Sequence, residues 1–246
     1  MGRRDYAVEL ANRIKWIKKI IDEAGAKGAV FGNSGGKDSA LVGILCKKAG
    51  VETLGVIMPC QSKTNYGLDK EHALLLSGAF DIPTIQIDLT KAKDELQKSL
   101  SIKKELALNN INPRLRMTVL YAIGQEKEYL VAGTGNLSEI TMGYFTKHGD
   151  GACDFNPIAD LTASEVKEFL KFLNVPNEII SKAPSAGLWD GQTDEQEMGI
   201  LYSEIDEYIL TGKSSEEIKN KIEKAKEKTQ HKRELPKTYS SKQNTI

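Results

Sequence analysis

Cysteine is scarce: Cys46, Cys60 and Cys153 are the three in 246 residues. An odd count with no C-x-x-C pair excludes a disulfide framework and leads us to expect a reducing, cytoplasmic setting. No apolar run is long enough for a signal peptide or a bilayer span, so no membrane role is expected. Net charge is also missing, because Lys plus Arg and Asp plus Glu both total 34. That excludes a generic basic footprint for nucleic acid. Internal repeats and low-complexity linkers are absent. What remains is a chain with 40% hydrophobic residues, enough for one sizeable core. A single domain over 1–246 is the simplest expectation, with a polar, aperiodic tail from about residue 237.

The periodicity alternates between helix and strand. Leu10, Ile14, Ile17 and Ile20-Ile21 recur at helical spacing up to Gly25. Gly28 to Phe31 reads as a short buried strand, and Ser39 to Ala49 as a helix stopped by Gly50. Thr53 to Met58 is a second strand closed by Pro59. A helix carries Leu74 to Leu76, and Thr84 to Leu89 alternates as a strand. Helices follow from Lys91 and from Pro113, and Tyr129 to Ala132 is the next strand. Beyond Asp160, three amphipathic helices are expected over Thr162–Leu173, Glu195–Leu210 and Ser214–Lys228. This pattern predicts an α/β fold: a doubly wound parallel β-sheet with helices on both faces and a helical C-terminal part. Ligands of such sheets bind at the carboxyl ends of strands where the winding reverses. Two glycine-rich turns, after Phe31 and after Ala132, fall at such ends.

The first turn reads "SGGKDS", Ser34 to Ser39. Paired glycines let backbone N–H groups approach an anion, and the following helix adds its positive end. An ordinary strand-to-helix turn is the plainer alternative. The Walker spacing Gly-x-x-x-x-Gly-Lys-Ser/Thr and the Gly-x-Gly-x-x-Gly fingerprint are both absent. Asp38 instead stands where a phosphate would lie. A carboxylate there repels phosphate unless a cation intervenes, so Asp38 predicts Mg²⁺. It also fits a simple first-turn acid stabilised by the helix dipole. Glu139 follows the second glycine turn, so it can face the same crevice and complete the metal site, while Thr134 offers a hydroxyl there. Arg114, Lys147, His231 and Lys232 are cationic or switchable groups apt for a second pyrophosphate. Asp154 is a hydrogen-bond acceptor for a ribose or an amine. Each has a bland reading: Arg114 as a solvated helix residue, Lys147 paired with Asp150, His231 as an exposed histidine in a Lys-rich stretch.

"SGGKDS" resembles the Ser-Gly-Gly-x-Asp-Ser loop of the PP-loop ATP pyrophosphatases, of the adenine nucleotide α-hydrolase type. Further stretches narrow the resemblance: "RLRM" (Arg114–Met117), "GTGNLSE" (Gly133–Glu139), "GYFTKHGDGACDFNP" (Gly143–Pro157), "KAPSAGLWDGQTDEQEMG" (Lys182–Gly199) and "HKR" from His231. Their order and spacing are similar to the ammonia-dependent NAD⁺ synthetase family over nearly the whole chain. The resemblance implies that Gly32, Asn33, Ser34, Gly35, Gly36, Lys37, Asp38, Ser39, Thr134 and Ser185 contact ATP, the co-substrate. It implies that Asp38 and Glu139 hold Mg²⁺, and that Arg114, Lys147, Asp154, His231 and Lys232 contact deamido-NAD⁺. Asp38, Lys147 and Asp154 become the candidates for catalysis, Asp154 as a base for ammonium. His231 and Lys232 reach a partner subunit's site in that family, so a homodimer is implied. Lys182–Gly199 matches a mobile loop that closes over substrates.

The implied reaction is amidation of deamido-NAD⁺ with ammonia through an acyl-adenylate, releasing AMP and pyrophosphate. Ala163 departs from a lysine common in the family, with Lys167 one turn later as a substitute. Ser185 stands for a usual threonine, and Asn136 for a frequent aspartate. Another PP-loop amidating or thiolating ligase and a non-catalytic adenine-nucleotide sensor are the rival readings. Scattered cysteines argue against thiolation, and a glutamine-dependent enzyme would need a further amidotransferase domain.

Overall fold

The computed structural model describes residues 4–182 and 193–239. Its strands are β1 (Gly28–Gly32), β2 (Glu52–Ile57), β3 (Thr84–Gln86) and β4 (Tyr129–Val131). Among the described residues they form one sheet in the order β3-β2-β1-β4, parallel throughout. β1 is "GAVFG", buried along nearly all its length, as a central strand covered on both faces must be.

Successive β1 residues feed opposite cores. Ala29 and Phe31 pack under α1 (Tyr6–Glu23), α2 (Lys37–Lys48), α4 (Leu68–Phe80), α9 (Ala163–Phe172) and α10 (Asn177–Ser181). Val30 joins Leu54, Val56, Met117, Leu120 and Val131 beneath α7 (Ile111–Lys127). α5 (Thr90–Ser99) packs beside α7 on that face, with the short α3 (Lys63–Tyr66) and α6 (Glu105–Asn109) in the connections. A third cluster unites α8 (Leu137–Met142), α12 (Tyr202–Thr211) and α13 (Glu216–Lys228) through Met142, Tyr202, Ile205 and Ile222. The short α11 (Asp194–Met198) precedes α12, and a 3-10 turn, Gln230–Lys232, follows α13. The sheet is thus doubly wound with a helical C-terminal part, as expected.

Two expected elements differ. The strand expected over Thr84–Leu89 ends at Gln86. Leu89 N–H still reaches Pro59 carbonyl at 3.0 Å, but Pro59 has no N–H to return a bond, so the regular ladder stops. The helix expected over Glu195–Leu210 breaks into α11 and α12 because Gly199 takes a left-handed φ of 63°.

The cores are packed tightly enough to be tested at one glycine. A Cβ on Gly43 of α2 would lie 2.4 Å from the Phe31 ring. Gly43→Ala is expected to lower stability by about 1–3 kcal/mol, measured by urea denaturation. An unchanged midpoint would show that Phe31 has room to move.

Candidate functional site

The winding reverses between β1 and β4, and a cavity of about 770 Å³ opens at their carboxyl ends. The loop after β1 forms one wall. Gly35 turns at φ 68°, and a Cβ there would meet the Asp69 carbonyl oxygen at 2.1 Å. The loop therefore rests directly on the start of α4, and no side chain fits between them. Asn33 anchors it further, donating to Ala73 carbonyl at 3.1 Å. Ser34 and Ser39 hydroxyls pair across the loop at 3.0 Å. α2 begins at Gly36 with no side-chain cap, whereas α8 and α9 each carry a capping box. The uncapped end of α2 is suited to an anion.

Two lysines tie this loop to α10 in both directions. Lys37 Nζ donates to the Lys182 carbonyl. Lys182 Nζ donates to the Gly35 carbonyl at 3.4 Å and pairs with Asp69 at 2.5 Å. Burial lowers the Lys37 pKa below its usual value, with Lys167 and Lys182 acting in the same direction.

Asp38 and Glu139 face each other across the switch point through one residue, Asn136. Asn136 Nδ2 donates to Asp38 Oδ1 at 3.0 Å. Its backbone N–H donates to Glu139 Oε2 at 2.9 Å, and its Oδ1 accepts from Glu139 N at 3.0 Å. One oxygen of each acid is thus held, leaving Asp38 Oδ2 and Glu139 Oε1 for another partner. Burial raises both carboxyl pKa values, and the charge of Asp38 adds to the rise at Glu139, which is the larger. Asp194 lies near enough to raise Glu139 further. Among the described residues, no group of three or more His, Cys, Asp and Glu is arranged to hold a metal ion. Two opposed acids with spare oxygens fit a hard divalent cation that completes its shell with water and phosphate oxygens.

Gly32, Asn33, Ser34, Gly36, Lys37, Asp38, Ser39, Thr134, Glu139 and Lys232 all line the cavity. Gly35 lies just behind it, against α4. Arg114, Lys147 and His231 do not line the cavity but meet one another beside Lys232: Arg114 Nε donates to Lys147 carbonyl at 3.3 Å, and Lys147 Nζ donates to the His231 carbonyl. Lys232 joins them, donating to the Gly143 and Phe145 carbonyls at 2.7 Å each. Asp150 closes this "GYFTKHGDG" loop on Thr146 N at 2.9 Å. Asp154 stands apart. Its oxygens accept from Val131 N at 2.7 Å and Tyr121 OH at 3.3 Å, so within one protomer it is not brought to the crevice. Ala163 lines the cavity and Lys167 does not. Ser185 lies outside the described residues, as does 183–192 of the Lys182–Gly199 stretch.

The cavity also holds residues to which the motifs assigned no role: Arg116, Lys182, Asp194 and Tyr202, together with Asn136, noted only as a departure from a frequent aspartate. Arg116 is two positions from Arg114 on one helix, so the two point about 200° apart and one faces in. Arg116 Nε caps the end of β2 at Met58 carbonyl, 3.1 Å away. The "RLRM" pattern alone does not say which arginine faces the cavity.

The acid pair has a stability signature. Glu139 holds its proton more tightly in the folded chain, so the fold binds more protons than the unfolded state. Stability then falls as pH rises from the ordinary carboxylate range toward the folded pKa. In metal-free protein, Glu139→Gln is expected to flatten the fall of thermal stability as pH rises above the ordinary carboxylate range. An unaltered slope would show that the pair is not strained.

The comparisons with known proteins agree with this geometry. The family model described as NAD synthase matches residues 9–236. The NH₃-dependent NAD⁺ synthetase of Carboxydothermus hydrogenoformans is 46% identical over 229 residues, covering 91% of this chain and 93% of that one. A solved NMN synthetase from Francisella tularensis matches with a TM-score of 0.92 at 37% identity, covering 96% of this chain and 99% of that one. The NH₃-dependent NAD synthetase of Campylobacter jejuni, solved with nitrate ion, matches with a TM-score of 0.80 at 30% identity, covering 97% and 100%. With an uncapped glycine loop, an acid pair at the switch point and relatives matched along nearly their full length, the chain belongs to the NAD synthase family.

Proposed function

We propose that this chain amidates deamido-NAD⁺ with ammonia, consuming ATP and releasing AMP and pyrophosphate through an acyl-adenylate. The observation that carries this reading is the meeting of two features at one switch point. The open start of α2 suits phosphates, and the Asp38–Asn136–Glu139 unit stands beside it. ATP phosphates would lie on the loop from Gly32 to Ser39, with Thr134 across the crevice. Asp38 and Glu139 would hold Mg²⁺ through their remaining oxygens. When bound, that ion neutralises charge on the pyrophosphate as it leaves. The N–H groups at the uncapped start of α2 would face the same charge. Lys37 adds a cation beside them. The group of Arg114, Lys147, His231 and Lys232 would take the second nucleotide.

A homodimer fits the surface. Leu96, Leu100, Ile102, Leu106 and Tyr121 are exposed on α5, α7 and the segment between them, and Leu106 also lines the cavity. Asp154 and Tyr121 lie on this exposed part of the chain, so a partner's substrate is the reading under which Asp154 contributes. The three unpaired cysteines support a cytoplasmic setting. Among the described residues, no helix is long and apolar enough to cross a membrane.

A second reading concerns the size of the acid substrate. The Francisella NMN synthetase matches this fold at 0.92, above the 0.80 of the Campylobacter NAD synthetase. The same chemistry on nicotinic acid mononucleotide would need only the cavity and not a second nucleotide site.

Incubation with ATP, Mg²⁺, ammonium and each acid in turn separates these readings. NAD⁺ and AMP are expected in equal amounts from deamido-NAD⁺. Turnover of the mononucleotide alone would establish the second reading, and no product from either acid would overturn both. Asp38→Asn is expected to lower kcat/KM at least about 100-fold; full activity would remove Asp38 from the metal site. Light scattering is expected to give twice the chain mass, and Ile102→Glu to give a monomer. A monomeric, fully active wild type would refute the dimer.

A further inference from the structure

We infer that Asp206 is a positioning residue for Glu139, acting through Ser138 from the C-terminal helices. The inference rests on the reading of Glu139 as a metal ligand.

α8, which carries Glu139, is six residues long, too short to hold its own shape or place. Its position depends on tethers. Leu137 N donates to Leu161 carbonyl at 2.7 Å, and Arg233 reaches Ile140 carbonyl at 3.1 Å. The most deeply buried tether is ionic. Asp206 on α12 is 3% exposed and does not line the cavity. Its Oδ1 accepts from Ser138 Oγ at 2.5 Å, and its Oδ2 accepts from Ser164 N at 2.8 Å. Ser138, fully buried, accepts in turn from Ala163 N at 3.1 Å.

The polarity of this chain is forced. Ser138 Oγ receives the Ala163 N–H, so its own hydrogen must point to Asp206. Asp206 must accept twice, which an ionised carboxylate does without cost and an amide cannot do. The acid sits at the N-terminal end of α9, where its Oδ2 accepts a first-turn backbone N–H. It also occupies that helix end, so α9 offers no anion site of its own toward the cavity. Asp206 thereby fixes α8 against α9 and α12, one residue from the acid that faces Asp38. Groups of this outer kind orient a ligand, and their loss typically weakens metal binding about 10–100-fold.

The test uses Mn²⁺ as probe, titrated into the full chain and read as the free-ion electron paramagnetic resonance signal. Wild type, Asp206→Asn, Ser138→Ala and Glu139→Gln are compared, with thermal midpoints alongside. Glu139→Gln is expected to abolish tight Mn²⁺ binding. Asp206→Asn and Ser138→Ala are expected to weaken it at least about 10-fold. The half-saturating Mg²⁺ for amidation should rise in step, with kcat recovered at saturating Mg²⁺. A purely structural role would lower the thermal midpoint and leave Mn²⁺ affinity unchanged. That result, with Glu139→Gln still binding-defective, overturns the inference alone. Unchanged binding in Glu139→Gln overturns the metal reading and the inference with it. Should Asp206→Asn fail to fold, Ser138→Ala, which keeps the charge, decides the matter.

Discussion

Two carboxylates that repel each other are held at one recessed point, and much of the site follows from that. Asp38 and Glu139 come from the first turns of α2 and α8 on either side of the switch point, and burial deprives both of solvation. A single neutral side chain stands between them. Asn136 satisfies one oxygen of each without adding charge. The two remaining oxygens then point to a shared deficit that a cation relieves. An aspartate at 136 would give a third acid and no donor toward Asp38. The asparagine therefore does for the apo protein what the cation would do when present: it keeps the acids apart and in place.

The cavity holds both signs of charge at depth, since Arg116 and Lys37 are recessed along with the acids. The acids, with Asp194 and the Tyr202 hydroxyl bonded at 3.2 Å, occupy its inner part. The cations Lys232, Lys147 and Arg114 are attached to backbone carbonyls and not to acids. A carbonyl is a weaker partner than a phosphate, so such cations exchange partners readily when an anion arrives. Lys37 is held the same way by Lys182. The exception is the Lys182–Asp69 pair, recessed on both sides, which serves to hold the glycine loop and is not available for exchange.

The fold was readable in the sequence because β1 and β2 are short apolar runs and α1, α9 and α13 each carry one apolar face. Asp38 was readable because a carboxylate in a glycine loop conflicts with the loop's own polarity. Glu139 followed from its place after the second glycine turn. Less was legible where direction around a helix decides the role, as with Arg114 and Arg116. Asn136 stood out only as an oddity in a motif, since its two-sided role needs two segments 98 residues apart to meet. Ser138 and Asp206 gave no local signal: a serine and an acid on separate amphipathic helices look like surface residues until the helices pack. The break at Gly199 was hidden for a different reason, because the apolar periodicity continues on both sides of it.

The contacts that make the site are long in sequence. Asn136 reaches Asp38 across 98 positions, and Lys37 reaches Lys182 across 145. Closing loops of that size costs entropy that local contacts do not repay, so such contacts form late. The parallel sheet has the same property, since each strand must wait for a crossover helix. A nascent or partly folded chain therefore has the glycine loop but no acid pair, no cation group and no anchored α10. On the proposed reading of the site, competence to bind nucleotide and cation together would report that folding has gone to completion, and ligands present during synthesis would stabilise only chains that have reached that point.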